Sequence, residues 1–164
     1  PWWTSDEGPG VGKKIDWPGN TMEVNYNEGI AQRVKNSEGT IGYMEYGFAK
    51  RLGLPVATLQ NQAGTYVKPS AKSGRDALAA AAANLPDDLR LFLPDPAGAD
   101  SYPIVSLSWI LLYGSYADGA VGSALKEAMT WGLNQGQAAA EEMGYIPLPD
   151  NIVSKATEAV VGIQ

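Results

Sequence analysis

The sequence predicts an α/β fold of short, layered elements, and three observations point to it. Helix-like and strand-like apolar patterns alternate along the chain. The most hydrophobic stretch, residues 102–113, reads as a strand buried on both faces toward its end. The 19 glycines and 11 prolines among 164 residues favour many sharply turned elements over long helices. Hydrophobic residues make up 45% and charged residues 18%, a balance that fills a globular core. The length suits one compact domain, or two half-lobes of a larger one.

Residues 1–20 read as a loop anchored by Trp2 and Trp3, because Gly8-Pro9-Gly10-Val11-Gly12 forbids a regular helix. A phosphate-cradling P-loop is excluded there. Such a loop needs Gly five residues before a Gly-Lys pair and Ser or Thr after it, and Glu7 and Lys14 stand at those places. Asn27 caps a predicted helix to about Asn36, with Ile30, Ala31 and Val34 on one face. Gly39 then turns the chain into a predicted strand, Thr40 to Tyr46, where Gly42 marks a backbone passing close by. A short helix to Leu52 stops at Gly53.

Val56 to Gln60 and Thr65 to Lys68 flank Asn61-Gln62-Ala63-Gly64 as a hairpin. Pro69 closes it, and Ser70 or Ser73 caps an alanine-rich helix to about Asn84. Its run Ala79 to Ala83 suits either close packing or a surface face. Residues 85–101, rich in Pro and Asp, read as a solvated connector, since the aspartates lack EF-hand spacing and its closing Glu. After the apolar strand come helices at about 119–134 and 136–143, the first with a Val121, Leu125, Ala128 stripe, the second stopped by Gly144. Tyr145 to Pro149 is extended, and Asp150 caps a last helix carrying Ile152, Val153, Ala156 and Val160.

Chemistry is bounded tightly by what the chain lacks. It has no cysteine and no histidine, which excludes disulfides, thiolate chemistry and the Ser-His and Cys-His catalytic arrangements. A zinc site would have to be built from carboxylates alone. A formal charge of −6 repels nucleic acid and anionic membranes, yet leaves room for an anion held by backbone N–H groups. No apolar run is long enough to span a membrane. The start at Pro1, without methionine, predicts that an upstream segment has been removed.

Few side chains qualify for a site. Glu28, Glu45 and the pair Glu141-Glu142 stand out, but Glu141 and Glu142 are helix neighbours that do not face each other, and all four read as solvated surface. Ser106 and Ser108 alternate on one side of the apolar strand beside Trp109. They either face a ligand cleft or satisfy local backbone groups. No catalytic residue, metal ligand or cofactor site is predicted, so the residues describe an α/β domain that is not an enzyme.

Seven segments in order resemble the phosphate-specific solute-binding proteins of bacterial ABC transporters, closest in flavour to cyanobacterial-type members. They are Ile15-Asp16-Trp17-Pro18, Asn27-Glu28-Gly29-Ile30-Ala31, Gly39 through Tyr46, Leu59 through Gly64, Val67-Lys68-Pro69-Ser70, Tyr102 through Leu112, and Gly144 through Pro149. Gly39-Thr40-Ile41-Gly42-Tyr43-Met44-Glu45-Tyr46 is the most specific, being similar to the family's Gly-Ser-Ile-Gly-Tyr-Val-Glu-Tyr block.

The resemblance implies part of a type II periplasmic-binding-protein fold, with phosphate held between two lobes. Residues 1–100 would be the remainder of the second lobe, and residues 101–164 the crossover strand and C-terminal helices completing the first. The family's phosphate ligands, including an Arg-Ser-Asp-Gly-Ser-Gly-Thr motif that opens a helix, would lie upstream of Pro1. No ligand position is therefore carried over, and Ser106 and Ser108 stay candidates from the residues alone. The implied partners are inorganic phosphate (only with the missing N-terminal half), the transporter permease, and that half or a second copy of this chain. Nucleic acid is not among them. The implied location is periplasmic or extracytoplasmic, with membrane association through a removed N-terminus. The other expectation is a truncated relative that serves as a structural or protein-interaction module without ligand.

Overall fold

The computed structural model describes residues 4–12 and 14–164. They fall into two compact units, one up to Tyr43 and one from Met44 to Gln164. Trp2 and Trp3, the expected loop anchors, lie outside the described residues.

In the first unit, irregular turns lead into α1 (Tyr26–Asn36). Asn25 occupies the cap position without a side-chain bond, so Asn27 sits inside the first turn and is not the cap. Ala31 is fully buried and Ile30 and Val34 half-buried, as their spacing on one face requires. Gly42 comes down on that face. A Cβ there would meet Ile30 Cγ2 at 2.9 Å and Val34 Cγ2 at 3.0 Å, so side chains, not a neighbouring backbone, demand the glycine. The predicted strand Thr40 to Tyr46 does not form. A strand is defined by its ladder, and among the described residues nothing pairs with this segment. Ile41 is left 92% exposed, and Tyr43 stacks on Trp17 with centroids 6.1 Å apart.

The second unit opens with α2 (Tyr46–Leu52). Gly53, at φ 63°, ends it by donating its N–H to the Ala49 and Lys50 carbonyls. Buried Gly47 lies against Gly144, and a Cβ on Gly47 would sit 3.1 Å from the Gly144 Cα, so only two glycines permit this approach. β1 (Leu59–Gln60) and β2 (Tyr66–Val67) pair antiparallel, Leu59 opposite Val67, in a hairpin shorter than its sequence signal. α3 (Ala71–Ala82) begins in a capping box, Ser70 and Ser73 bonding reciprocally. Ser73, Gly74, Ala77 and Leu78 form its buried face, while Ala79, Ala80 and Ala83 are exposed.

α4 (Gly119–Leu133) starts where Asp118 accepts the Ala120 N–H at 2.8 Å. The expected apolar stripe is not its contact face. Val121 is 46% exposed and Ala128 is exposed; the buried residue is Gly122, against the Tyr116 ring and the Gln164 carbonyl. A Cβ on Gly122 would stand at ordinary van der Waals distance, 3.6 Å from that carbonyl oxygen and 3.7 Å from the ring. α5 (Gln137–Ala140) ends in turns at Gly144, and α6 (Asp150–Val161) follows the extended 145–149. Pro149 takes the cap position, so Asp150 stands in the first turn, where its charge meets the positive helix end.

The core is a cluster of Leu78, Leu85, Leu93 and Ile152, against which Val105, Leu107, Ile146 and Leu148 pack. Two expectations are corrected here. Residues 85–101 are no solvated connector, because Leu85, Leu93 and Ser101 are buried. And the layered sheet is reduced to one two-stranded ladder, so the unit is mostly helical.

The helix face at Gly74 is a sharp test of this packing. A Cβ there would collide with Ile146 Cδ1. Gly74→Ala should gain up to about 1 kcal/mol of helix propensity but lose about 1–3 kcal/mol to overpacking, for a net loss in urea denaturation. Adding Ile146→Val, which deletes the colliding atom, should recover part of that loss in a double-mutant cycle.

Candidate functional site

The stretch predicted as a strand buried on both faces is instead covered on one face only. Ile104 forms a single antiparallel bridge with Pro94. Beyond it, alternate side chains part: Val105 and Leu107 pack on the core, while Ile104, Ser106, Ser108 and Ile110 are exposed on the other side. Exposure reaches 70% at Ile110 and 90% at Leu111. Among the described residues, no backbone–backbone hydrogen bond involves residues 106–112. The segment thus has a strand's side-chain alternation without its ladder, which is why its apolar content misled the burial expectation.

It is held in place from the side. Trp109 Nε1 donates to the Leu89 carbonyl at 2.8 Å, and the Trp109 ring packs on Phe92, centroids 5.7 Å apart. Leu89 has φ 60°, a conformation uncommon for a leucine, and its N–H donates to the Pro86 carbonyl at 3.0 Å. At the far end, Gln164 exchanges hydrogen bonds with the Gly114–Tyr116 turn, both 2.9 Å long, and the Tyr116 hydroxyl accepts the Tyr113 N–H.

The loop leading into the segment is fixed by Asn61, 4% exposed at the hairpin turn. Its Nδ2 donates toward the carbonyls of Gly98, Ala99 and Ser101 at 3.0–3.1 Å. Its Oδ1 accepts the N–H groups of Ala63 and Thr65, both at 3.1 Å. Gln62 adds bonds to the Asp95 carboxylate and carbonyl. Lys155 on α6 donates to the Leu85 carbonyl at 2.6 Å and pairs with Asp87 at 3.1 Å. The aspartates are thus occupied in tying the loop down. Asp88 accepts the Arg90 N–H and guanidinium, which hold its carboxyl below the usual carboxylate range. Among the described residues no three acidic side chains converge as a metal site.

Ser106 and Ser108 both lie on the open face. The Ser106 hydroxyl donates to the Leu107 carbonyl at 3.2 Å, and both serines are exposed. A groove of about 620 Å³ lies elsewhere, between Arg75, Asp76, Asn134, Gln137 and Asp150. Its amides are already committed: Gln137 to the Leu148 N–H and Gly132 carbonyl, Asn134 to the Thr130 carbonyl. Asp76 pairs with Lys72 at 2.6 Å, which raises the Lys72 pKa. Glu28, Glu45, Glu141 and Glu142 are exposed.

Comparison with known proteins places the chain among its relatives. No family model matches the chain. The phosphate-binding protein PstS of Pasteurella multocida is 36% identical over 146 residues, 89% of this chain and 42% of that protein. That of Xylella fastidiosa is 35% identical over 150 residues, again 89% of this chain and 40% of its own length. The protein of the same name from Methanocaldococcus jannaschii is 31% identical over 167 residues, 92% and 43% respectively. The chain is homologous to the PstS phosphate-binding proteins. It spans about two-fifths of the length of these relatives, and they are named as binding proteins, in line with the expectation of no catalytic site. Among the described residues, no helix is long and apolar enough to cross a membrane.

Within this PstS homologue, Asn61 is the residue whose role sequence reasoning missed. It was legible as a turn residue, but its partners lie 37–40 positions away, beyond any local pattern. Asn61→Ala would remove side-chain bonds to the Ala99 and Ser101 carbonyls and the Ala63 and Thr65 N–H groups, of which the Ser101 bond is buried, and should cost about 1–3 kcal/mol. Asn61→Asp keeps the acceptor but sets a carboxylate against the three carbonyls, so it should restore nothing. Denaturant titration of both variants checks this; an Asp variant as stable as the parent would mean the donor bonds contribute little.

Proposed function

We propose that this chain is a portion of an ABC-transporter phosphate receptor, one that contributes to the anion site only together with the rest of the receptor. The observation that carries the reading is the match itself: 36% identity over 89% of the chain to a protein named as phosphate-binding, of which it covers 42%. The unpaired strand at residues 106–112 fits a portion built to be completed. On this reading the complete receptor has the type II two-lobed fold. Residues 1–100 belong to the second lobe, and residues 101–164 cross back and finish the first. The principal phosphate ligands come from the part of the receptor that this chain does not supply, with Ser106 and Ser108 the candidates from its own residues. The receptor works outside the cytoplasm and delivers phosphate to a membrane permease.

The acidic charge of −6 does not oppose this. Anion sites are formed by helix N-termini and backbone N–H groups, whose partial charges act at contact distance, whereas surface carboxylates are screened within about 8–10 Å. The second reading, a protein-interaction module without ligand, draws on the same exposed apolar surface, and the two part on phosphate.

Calorimetric titration separates them. The 164-residue chain alone should give no heat with phosphate or sulfate. Joined to the remaining portion of a relative, it should bind phosphate in preference to sulfate. Selective binding by the chain alone would overturn the assignment of the ligands to the other portion. Silence of the joined protein would favour the interaction module.

A further inference from the structure

The chain carries an Asp-Gly or Asn-Gly pair at one position alone, Asp118-Gly119. Such pairs are chemically labile, because a residue without Cβ leaves its nitrogen open to the preceding side-chain carbonyl. Both residues are exposed, and a Cβ placed on Gly119 would meet nothing within 4 Å. Gly119 is the first residue of α4, so no helical carbonyl lies four residues before it. Its N–H makes no hydrogen bond among the described residues. The Asp118 carboxylate turns toward the same nitrogen. Its Oδ1 accepts the Ala120 N–H at 2.8 Å, and an oxygen that reaches the second amide on passes over the first. Asp100 before Ser101 is closed by contrast, since Ser101 is 1% exposed and donates its N–H to the Gly98 carbonyl.

We propose that Asp118-Gly119 is a modification site, at which the chain rearranges spontaneously to isoaspartate and α4 loses its start. The inference stands independently of the phosphate reading. The Gly119 nitrogen attacks Cγ of Asp118. A C–N bond forms, the nitrogen gives up its proton, and one carboxyl oxygen departs as water, which leaves a succinimide. Water then adds to the ring and breaks one of its two carbonyl C–N bonds. Cleavage at Cγ restores aspartate. Cleavage at the main-chain carbonyl carbon leaves the chain running through Cβ and Cγ, with the former main-chain carbonyl now a free carboxylate. The water lost is the water regained, so the product has the mass of the starting chain.

The consequence follows from what that carbonyl does. The Asp118 carbonyl accepts the Val121 and Gly122 N–H groups at 3.1 and 3.3 Å, while the side chain holds the Ala120 N–H. The rearrangement exchanges these two acceptors and lengthens the main chain by a carbon, so the first turn of α4 loses its three bonds together. Gly122 is the buried residue of α4, beside the Gln164 carbonyl, and α4 packs on α6. Loosening this turn therefore reaches the packing of the last helices.

The test ages the folded 164-residue chain at neutral pH, beside a sample held in denaturing urea. Isoaspartate is read by methyl transfer from S-adenosylmethionine with an isoaspartate-specific methyltransferase, and is placed by electron-transfer fragmentation of the peptide holding Asp118. Methyl acceptance should rise with time in the folded sample, mainly at Asp118 and with no change in mass. Gly119→Ala, whose added Cβ meets no atom, should slow that rise by on the order of tenfold. Asp118→Asn keeps a good cap and expels ammonia instead of water, so the folded variant should convert faster than the parent, with the mass gain of an amide turned to acid. The modified fraction should melt a few degrees below the fresh chain. Isoaspartate formed in urea but absent from Asp118 in the folded parent would overturn the proposal, and so would an Asp118→Asn variant that keeps its amide when folded. Methyl acceptance lying mainly at another residue, or a rate that Gly119→Ala leaves unchanged, would overturn it too. An unchanged melting point in the modified fraction would overturn the loss of the α4 start.

Discussion

Four aliphatic side chains from different places in the sequence hold the larger unit together. Leu78 comes from α3, Leu85 and Leu93 from the loop after it, and Ile152 from α6. Their contact is the constraint on which the other features depend, because it draws an irregular loop between two helices. A loop so buried must satisfy its backbone groups internally. Asn61, Lys155 and Trp109 each donate to loop carbonyls for that reason. The polar clamp and the apolar cluster are therefore one arrangement: the leucines bring the loop in, and the side-chain donors make its burial tolerable.

Much of the helical organisation was legible because its signals are local. Gly53 stops α2 with a left-handed conformation, and Ser70 with Ser73 caps α3 through groups only three residues apart. The hairpin was legible too, though it is shorter than its β-branched flanks implied. What could not be read locally was which apolar segments find a partner. Thr40–Tyr46 and residues 106–112 have the composition of strands, but a strand is completed by a neighbour, and no neighbour pairs with either among the described residues. The loop at 85–101 misled in the opposite direction. Its prolines and aspartates look solvated, while two leucines among them set its burial.

The site was legible at the level of kinship and not of geometry. The ordered segments around Gly39–Tyr46 and Gly144–Pro149 carry the resemblance, and the relatives at 31–36% identity agree with it. Ser106 and Ser108 were singled out for alternating on one face, and they do share one, but that face is open. Their alternation reflects the strand's two-residue period, which is the same whether a cleft, a partner or solvent lies beyond.

The glycine contacts show that the fold is specified even where a strand lacks its ladder. Gly47 against Gly144 and Gly74 beneath Ile146 are separate points where helices or turns approach too closely for a Cβ. A chain collapsing without a defined partner surface would gain nothing from such restrictions, since glycine in a helix costs up to about 1 kcal/mol relative to alanine. Gly74 lies in a helix interior, where that cost applies. The close approach it permits fixes α3 against the 145–149 segment. The Trp109 bond to Leu89 and the packing of Val105 and Leu107 on the core then lay residues 102–113 across it with the outer face held in one orientation.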